Sequence, residues 1–200
     1  MPHERYNADN AAMLLIDHQV GTAGWMHSGS REEMKRNTLA LAKAARATGM
    51  PVVMTSSQEI LVDVQGPLFP ELEPILPEAF AARIKRGGTV DSMAEPDFAK
   101  AVKATGRKKL IMARLLTEVC VVYPALSAVE DGYEVQVIAD ASGSGTKVGN
   151  EIALDRMRQS GVHVASTIQI LSEMVADWSK GPGPEILGVL GELYAAIEDD

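Results

Sequence analysis

Three side chains that together could perform nucleophilic chemistry stand near the ends of apolar, strand-like segments. Asp17 follows residues 11–16, Lys85 lies just before a pair of glycines, and Cys120 follows residues 110–113. A cysteine thiolate can attack a carbonyl carbon, a carboxylate can exchange protons with the thiol, and an ammonium group can stabilise the ionised pair. Because the carboxyl ends of parallel strands lie at one edge of a sheet, we expect these three side chains to meet there.

Cys120 is the only cysteine of the chain, and its local sequence allows two interpretations. With Thr117 as the N-cap, Cys120 falls in the first turn of a helix, where free backbone N–H groups and the macrodipole favour a thiolate. Pro124 removes one helical hydrogen bond, so the helix is predicted to be irregular before it ends at Gly132. A lone cysteine among valines is, however, more often a small hydrophobic residue of a packed core, and the local sequence alone favours that interpretation.

The other two candidates also have ordinary structural interpretations. An aspartate after a strand often forms a turn or caps a helix. The segment around Lys85 and Arg86 places one or two cations just before a turn, and such a basic pair can simply be solvated. Gln19 and Thr117, which flank the aspartate and the cysteine in sequence, are candidates for substrate binding.

The elements that must position these residues alternate between strand and helix. A capping box opens at Ser30 and predicts a helix that ends near Gly49. Residues 60–82 are rich in proline and are predicted to form an irregular excursion that could act as a lid. The alternation predicts a three-layer α/β/α fold with a mostly parallel sheet covered on both faces. Six strands are expected, at residues 11–16, 52–54, near 84, 110–113, 133–139 and 162–165.

Composition narrows the class of protein. The chain has 200 residues, 46% of them hydrophobic, and a formal charge of −8, which favours one domain with a large core. The acidic balance argues against nucleic acid or an anionic membrane as partner, so we expect a small-molecule substrate. One cysteine, no membrane-length apolar segment and a polar start at residues 1–10 indicate the cytoplasm as the expected location.

A tail is predicted beyond a main domain over residues 1–180. Residues 181–200 begin with a glycine and proline break and continue as a helix with one apolar face. That face could dock on its own domain or on a neighbouring subunit, and the sequence leaves both open. The apolar positions are Ile186, Leu190, Leu193, Tyr194 and Ile197.

The motifs LLIDHQ, IKRGG and LLTEVCVVYPALSAVEDGYEVQVIADASG resemble the isochorismatase-like cysteine hydrolases, a family that includes nicotinamidases and N-carbamoylsarcosine amidases. The likeness is to the YcaC-type subgroup and spans residues 10–178. It implies a Rossmann-like sheet and a triad of Asp17, Lys85 and Cys120. It also implies a cis peptide bond before Leu116, whose N–H would share an oxyanion hole with that of Cys120. Members of the subgroup are oligomeric, so a homo-oligomer is implied, with an octamer as one size.

Two departures from the family modify these expectations. Nicotinamidases hold a metal ion through an Asp-x-His-x-His arrangement, but the matching stretch TSSQEILVD has no histidine. We therefore expect no catalytic metal, no cofactor and a substrate other than nicotinamide. Arg114 stands where the family has glycine. An arginine is costly there if the backbone needs positive φ or close packing, but it could also reach the mouth of the pocket.

The sequence therefore predicts a metal-free cysteine hydrolase that cleaves a C–N bond of a small amide or carbamoyl compound through a thioester. One alternative is an isochorismatase-like vinyl-ether hydrolase, a reaction that does not require the cysteine. Another is a non-catalytic assembly protein that keeps the fold. Iodoacetamide separates the last alternative from the enzymes, because an activated thiol reacts near neutral pH faster than a structural one.

Overall fold

The six predicted strands form one sheet in the computed structural model of the chain, which describes residues 4–198. The α/β fold is confirmed, and all five pairings between neighbouring strands are parallel. The strand order is β3-β2-β1-β4-β5-β6. The strands are β1 (Ala11–Ile16), β2 (Val52–Ser57), β3 (Ile84–Arg86), β4 (Lys109–Arg114), β5 (Glu134–Ile138) and β6 (His163–Ala165).

Helices connect the strands and cover both faces of the sheet. The predicted N-cap at Ser30 is confirmed, since its side chain accepts a hydrogen bond from the Glu33 N–H, and Gly49 ends the helix with φ +67° as predicted. Two short helices lie within the second half of the segment that was predicted to be irregular. The α-helices are α1 (Val20–Gly24), α2 (Arg31–Thr48), α3 (Leu72–Ile75), α4 (Pro77–Ala81), α5 (Pro96–Ala104), α6 (Val122–Glu130), α7 (Lys147–Gln159), α8 (Thr167–Val175) and α9 (Gly183–Glu198).

The central strand β1 packs against a hydrophobic core on each of its two faces. Met13 and Leu15 belong to the core formed with α2, α8 and α9, whereas Leu14 and Ile16 belong to the core formed with α5, α6 and α7. All six residues of β1 are buried. This is why the strand appears in the sequence as a continuous apolar run rather than as an alternating pattern.

The strand order places β1 and β4 side by side although the chain visits two other strands between them. From β1 the sheet grows in one direction through β2 and β3, and β4 then joins the opposite side of β1. Ile16, the last residue of β1, is in register with Arg114, the last residue of β4. This reversal of direction is the point at which open α/β sheets bind ligands, so residues just after Ile16 and Arg114 share the crevice.

The C-terminal helix α9 docks on its own chain. Its Ile186, Leu190 and Leu193 are buried in the core shared with α2 and α8, together with Val189. Tyr194 is exposed, contrary to the predicted apolar face, and the Ile197 side chain lies outside the described residues. A role for α9 between subunits remains a prediction. Within residues 4–198, no helix combines the length and the apolar character needed to cross a membrane.

Candidate active site

Asp17 lies at the switch point, buried to 1% exposure, immediately after β1. Its backbone takes φ +54°, a left-handed conformation that aspartate tolerates better than most residues. The backbone N–H of Asp17 donates to the Thr55 carbonyl at 2.9 Å, which fixes the residue against the end of β2. The polar site that the sequence predicts at the end of β1 therefore contains a buried carboxylate.

The cation beside Asp17 is Arg86, and the expectation that Lys85 would meet Asp17 is wrong. Arg86 Nη2 donates to both carboxylate oxygens of Asp17 at 2.6 Å. Lys85, the adjacent residue of β3, is exposed and its Nζ lies 3.1 Å from Glu59. Successive side chains of a strand point to opposite faces, so only one of the two cations can turn inward. The remaining donors of Arg86 are also engaged, by Thr55 Oγ1 at 2.8 Å and the Thr89 carbonyl at 2.7 Å.

Arg114 supplies a second guanidinium to the same carboxylate. Its Nη2 donates to Asp17 Oδ2, its Nη1 makes a long 3.3 Å contact to the Val90 carbonyl, and its buried Nε has no partner. The backbone N–H of Arg114 donates to Ser142 Oγ. Burial lowers the pKa of the Arg114 guanidinium, whereas the negative charges of Asp17 and of an ionised Cys120 raise it. The arginine at the position where the resemblance leads us to expect glycine is thus part of the buried ion pair.

Cys120 lies on a helical turn that differs from the predicted one. Thr117–Val121 form a π-helical turn that leads into α6, so Thr117 lies inside the turn and Leu116 precedes it. The expected cis peptide bond between Leu115 and Leu116 is present. Cys120 is half-buried, and its backbone N–H donates to the Leu116 carbonyl at 2.7 Å. The helical bond therefore occupies the N–H that was expected to line an oxyanion hole.

Neither residue proposed for substrate binding lines the cavity beside Cys120, and the buried hydroxyl of Thr117 has no hydrogen-bond partner. Gln19 is fully buried, its Nε2 donates to the Ser57 and Gly66 carbonyls, and its Oε1 accepts from the Ser57 N–H. Gln19 therefore ties the end of β1 to β2. Thr117 is also fully buried, and its backbone N–H donates to the Gly143 carbonyl at 2.7 Å. Both residues hold the walls of the crevice in place.

The loop after β5 braces the cysteine turn. Glu118 accepts a hydrogen bond from the Gly145 N–H at 3.2 Å, and its own N–H donates to Ser144 Oγ at 3.1 Å. Asp140 at the start of the loop accepts from the Thr167 N–H and hydroxyl. A Cβ at Gly143 would come within 2.6 Å of the Met26 side chain, so a larger residue there would require that side chain to shift. These contacts hold the loop as a strand-to-helix turn against the residues that flank Cys120.

His18, within the LLIDHQ motif, is a structural residue that the sequence did not single out. Its Nε2 lies 3.1 Å from the Ala141 carbonyl, which fits a neutral ring that donates its Nε2–H. Burial lowers the pKa of His18 to about 4, despite the hydrogen bond to Ala141 and the charge of Asp17, which act in the opposite direction. The ring is therefore neutral at pH 7 and links the end of β1 to the loop after β5.

A cavity of about 200 Å³ opens between these elements. Asp17, Arg114 and Cys120 lie in its lining, together with the apolar side chains of Trp25 and Val119. The structure thus brings together two of the three predicted residues and replaces the third. Within residues 4–198, no three histidine, cysteine, aspartate or glutamate side chains are grouped so that they could hold a metal ion.

The fold and the site define an α/β protein with a cysteine beside a buried aspartate–arginine cluster at the switch point of a parallel sheet. The Isochorismatase domain family matches residues 11–169, and the chain belongs to this family.

Its relatives include a protein of Escherichia coli (strain K12), "Probable hydrolase YcaC", which is 39% identical over 88% of this chain and 83% of the relative. The crystal structure of that protein, described as an octameric hydrolase of unknown specificity, matches with a TM-score of 0.86 over 97% of this chain and 91% of its own. YcaC from Pseudomonas aeruginosa, solved with hexane-2,5-diol and covalent acrylamide, is 38% identical, with a TM-score of 0.88 over 100% and 98% of the two chains. The nicotinamidase PncA from Bacillus subtilis, 20% identical with a TM-score of 0.65 over 78% and 99% of the two chains, shares the fold alone.

Proposed function

We propose that this protein is a cysteine hydrolase that cleaves the C–N bond of a small amide or carbamoyl compound. The observation that carries the proposal is that Cys120 and the buried carboxylate of Asp17 line one cavity at the switch point. The Escherichia coli relative is described as a probable hydrolase. This chain has a thiol, that of Cys120, in the motif TEVCV.

The chemistry follows from the nucleophile. Once the Cys120 thiol has lost its proton, Sγ attacks the amide carbonyl carbon and the carbonyl oxygen becomes an oxyanion. The oxyanion re-forms the carbonyl, the C–N bond breaks, and the leaving nitrogen takes one proton from the solvent and departs as ammonia or an amine. The acyl group remains on Sγ as a thioester. Water attacks this thioester, the C–S bond breaks, and a carboxylic acid and the free cysteine are released.

The other residues have supporting roles in this scheme. Arg86 holds Asp17 in place through the two 2.6 Å contacts, so it takes the role that the sequence assigned to the neighbouring lysine. The Leu116 N–H is the proposed donor to the oxyanion, because it precedes the cysteine turn at the edge of the cavity. Asp17 lines the same cavity as Cys120, so its negative charge acts on the protonation state of the site.

A relative and the size of the cavity support a reactive thiol and a small substrate. YcaC from Pseudomonas aeruginosa holds acrylamide covalently, and acrylamide is an electrophile that thiolates attack readily. The cavity of about 200 Å³ lies below the range of about 300–1,000 Å³ that is usual for drug-sized ligands. We therefore propose a substrate of only a few heavy atoms around the amide group, and a homo-oligomeric enzyme, as in the octameric Escherichia coli relative.

A panel of small carboxamides and carbamoyl compounds, assayed for ammonia release, tests the proposal. Cys120→Ser is the matched control, because it preserves the shape of the site and removes the nucleophile. Ammonia release by the wild type but not by Cys120→Ser, with a hydroxamate formed when hydroxylamine is added, supports a thioester route. Ammonia release that survives in Cys120→Ser would contradict the thioester route. Absence of ammonia release from every amide, together with cleavage of a vinyl ether that survives in Cys120→Ser, would favour vinyl-ether hydrolysis. A thiol that reacts with iodoacetamide no faster than a denatured-state thiol would favour a non-catalytic role.

A further inference from the structure

Three buried charged groups meet at the switch point with one positive charge in excess. Arg86 and Arg114 both donate to the single carboxylate of Asp17, and each of the three residues is no more than 5% exposed. A buried charge without a partner is strongly unfavourable. The cluster is therefore arranged for one further negative charge within reach of Arg114.

The other ionisable groups around the site do not supply that charge. Glu118, on the turn of the cysteine, is engaged by the Gly145 N–H and lies against the start of α7. Asp91, after β3, accepts from the Met93 N–H and the Ser127 hydroxyl. Glu59 binds Arg83 and the exposed lysine of β3. His18, beneath Asp17, is neutral at pH 7 because burial lowers its pKa to about 4.

Asp17 is also poorly placed to accept a proton from the thiol. Its Oδ1 accepts one guanidinium N–H and its Oδ2 accepts from both arginines. A proton added to either oxygen would face a cationic donor and would weaken at least one of these bonds. The second guanidinium therefore stabilises the carboxylate and opposes transfer of the thiol proton to Asp17.

We propose that Arg114, which lines the same cavity as Cys120, is its counter-cation, so that the resting site holds an ionised thiolate beside Arg114 and an ionised Asp17 between the two guanidinium groups. The S–H bond of Cys120 breaks with release of the proton to water, and the electron pair stays on Sγ. Arg114 thus acts on the reaction through Cys120 and Asp17 as a positioning residue. This inference rests on the proposed role of Cys120 as the nucleophile.

The effect of Cys120 and Asp17 on the pKa of Arg114 agrees with this arrangement. Burial lowers the pKa of the Arg114 guanidinium, and the negative charges of Asp17 and an ionised Cys120 both oppose that decrease. The inference also accounts for a buried arginine at a position where the resemblance to the family leads us to expect glycine.

Counting protons during alkylation tests the inference on the wild-type protein. When iodoacetamide reacts with a thiolate, the S–C bond forms, iodide leaves and no proton is released. A thiol, or a thiolate whose proton rests on Asp17, releases one proton per alkylated cysteine. The reaction is followed at pH 7 in weak buffer with an indicator dye, with Cys120→Ser as the blank. We expect close to zero protons per cysteine, and a value close to one would overturn the inference.

Variants then show which residue is responsible. At pH 6.5 the alkylation rate should fall at least tenfold in Arg114→Met, whose profile against pH moves to higher pH, but less than threefold in Arg114→Lys. It should not fall in Asp17→Asn, and Lys85→Met, which removes an exposed cation nearby, is the control. A loss in Asp17→Asn with none in Arg114→Met would identify Asp17 as the proton acceptor and refute the role of Arg114. If Arg114→Met does not fold, the wild-type proton count decides alone.

The outcomes for the two proposals are separable. Zero proton release without ammonia formation from any amide would contradict the amidohydrolase proposal and leave the thiolate–Arg114 pair standing. Ammonia formation that depends on Cys120, with one proton released on alkylation, would support the amidohydrolase proposal and overturn the thiolate–Arg114 pair.

Discussion

Arg86 and Lys85 are adjacent cations whose replacement should have very different effects. Arg86→Met removes four hydrogen bonds, two of them to Asp17 at 2.6 Å, from a side chain that is fully buried. Breaking a buried ion pair by removing one partner costs about 3–5 kcal/mol. Because Arg114 still donates to Asp17 in this variant, we expect a loss at the low end, about 3 kcal/mol of the free energy of unfolding.

Lys85→Met is the matched control. The Lys85 side chain is 62% exposed, and Glu59 keeps its contact to Arg83 at 2.6 Å when the lysine is gone. Exposed ion pairs contribute about 0–1 kcal/mol, so the expected change is less than about 0.5 kcal/mol. Both changes replace a long cationic side chain by methionine in the same short strand. The difference between the two variants therefore measures the effect of removing a buried rather than an exposed positive charge.

The measurements are urea unfolding at pH 7 and the rate of Cys120 alkylation by iodoacetamide. Turnover can replace alkylation once a substrate is known. We expect Arg86→Met to lower the reaction rate by about tenfold, as a rise of about one unit in the thiol pKa would do, because Arg114 alone must then neutralise both Asp17 and the thiolate, and Lys85→Met to change it by less than about twofold. A large loss in Lys85→Met with a nearly normal Arg86→Met would show that the lysine reaches the site and that the assignment made from the structure is wrong.

Three further predictions concern the metal, the buried histidine and the tail. Activity should survive exhaustive dialysis against EDTA, because the stretch after β2 lacks the histidines of a metal site, and restoration of lost turnover by zinc or manganese would contradict this. His18 has a folded-state pKa of about 4, below the unfolded value of about 6.5, so its contribution is present above pH 6.5 and is lost as pH falls toward 4. The loss should reach as much as about 3 kcal/mol in urea unfolding, and His18→Gln, which can still donate to Ala141, should show a flatter dependence on pH. On α9, Leu190→Ala should cost about 2–4 kcal/mol because it opens a buried contact, whereas Tyr194→Ala should cost less than about 1 kcal/mol, and equal losses in thermal unfolding would refute the docking of α9 described above.

The positions of the strands and of the longer helices were determined by local sequence. Residues 11–16 and 110–113 are continuous apolar runs because both faces of those strands are covered, and such a run carries its own signal. The limits of α2 were equally local, since Ser30 caps its first turn and Gly49 accepts a left-handed backbone at its end. Each of these features depends on residues close together in the chain.

The meeting of Asp17 and Cys120 was also predictable, but for a topological reason. Parallel strands end at the same edge, so a polar residue after β1 and a nucleophile after β4 must be neighbours once those strands are adjacent. The sequence alternation predicted the parallel sheet, and the family resemblance supported the pairing of the two residues. No individual contact distance was needed for that conclusion.

The identity of the charged partners was decided only by tertiary structure. In a strand of three residues, a shift of one position exchanges the inward and outward faces, so the sequence could not distinguish Lys85 from Arg86 as the cation. The structural role of Gln19 could not be predicted either, because its side chain donates to Ser57 and Gly66, more than thirty residues away in the chain. Arg114 was conspicuous in the sequence only as a departure from glycine. Its contact with Asp17 depends on the register between β1 and β4, which places the ends of the two strands side by side. Asp17 and Arg114 are far apart in the chain, so only the fold brings their charges together.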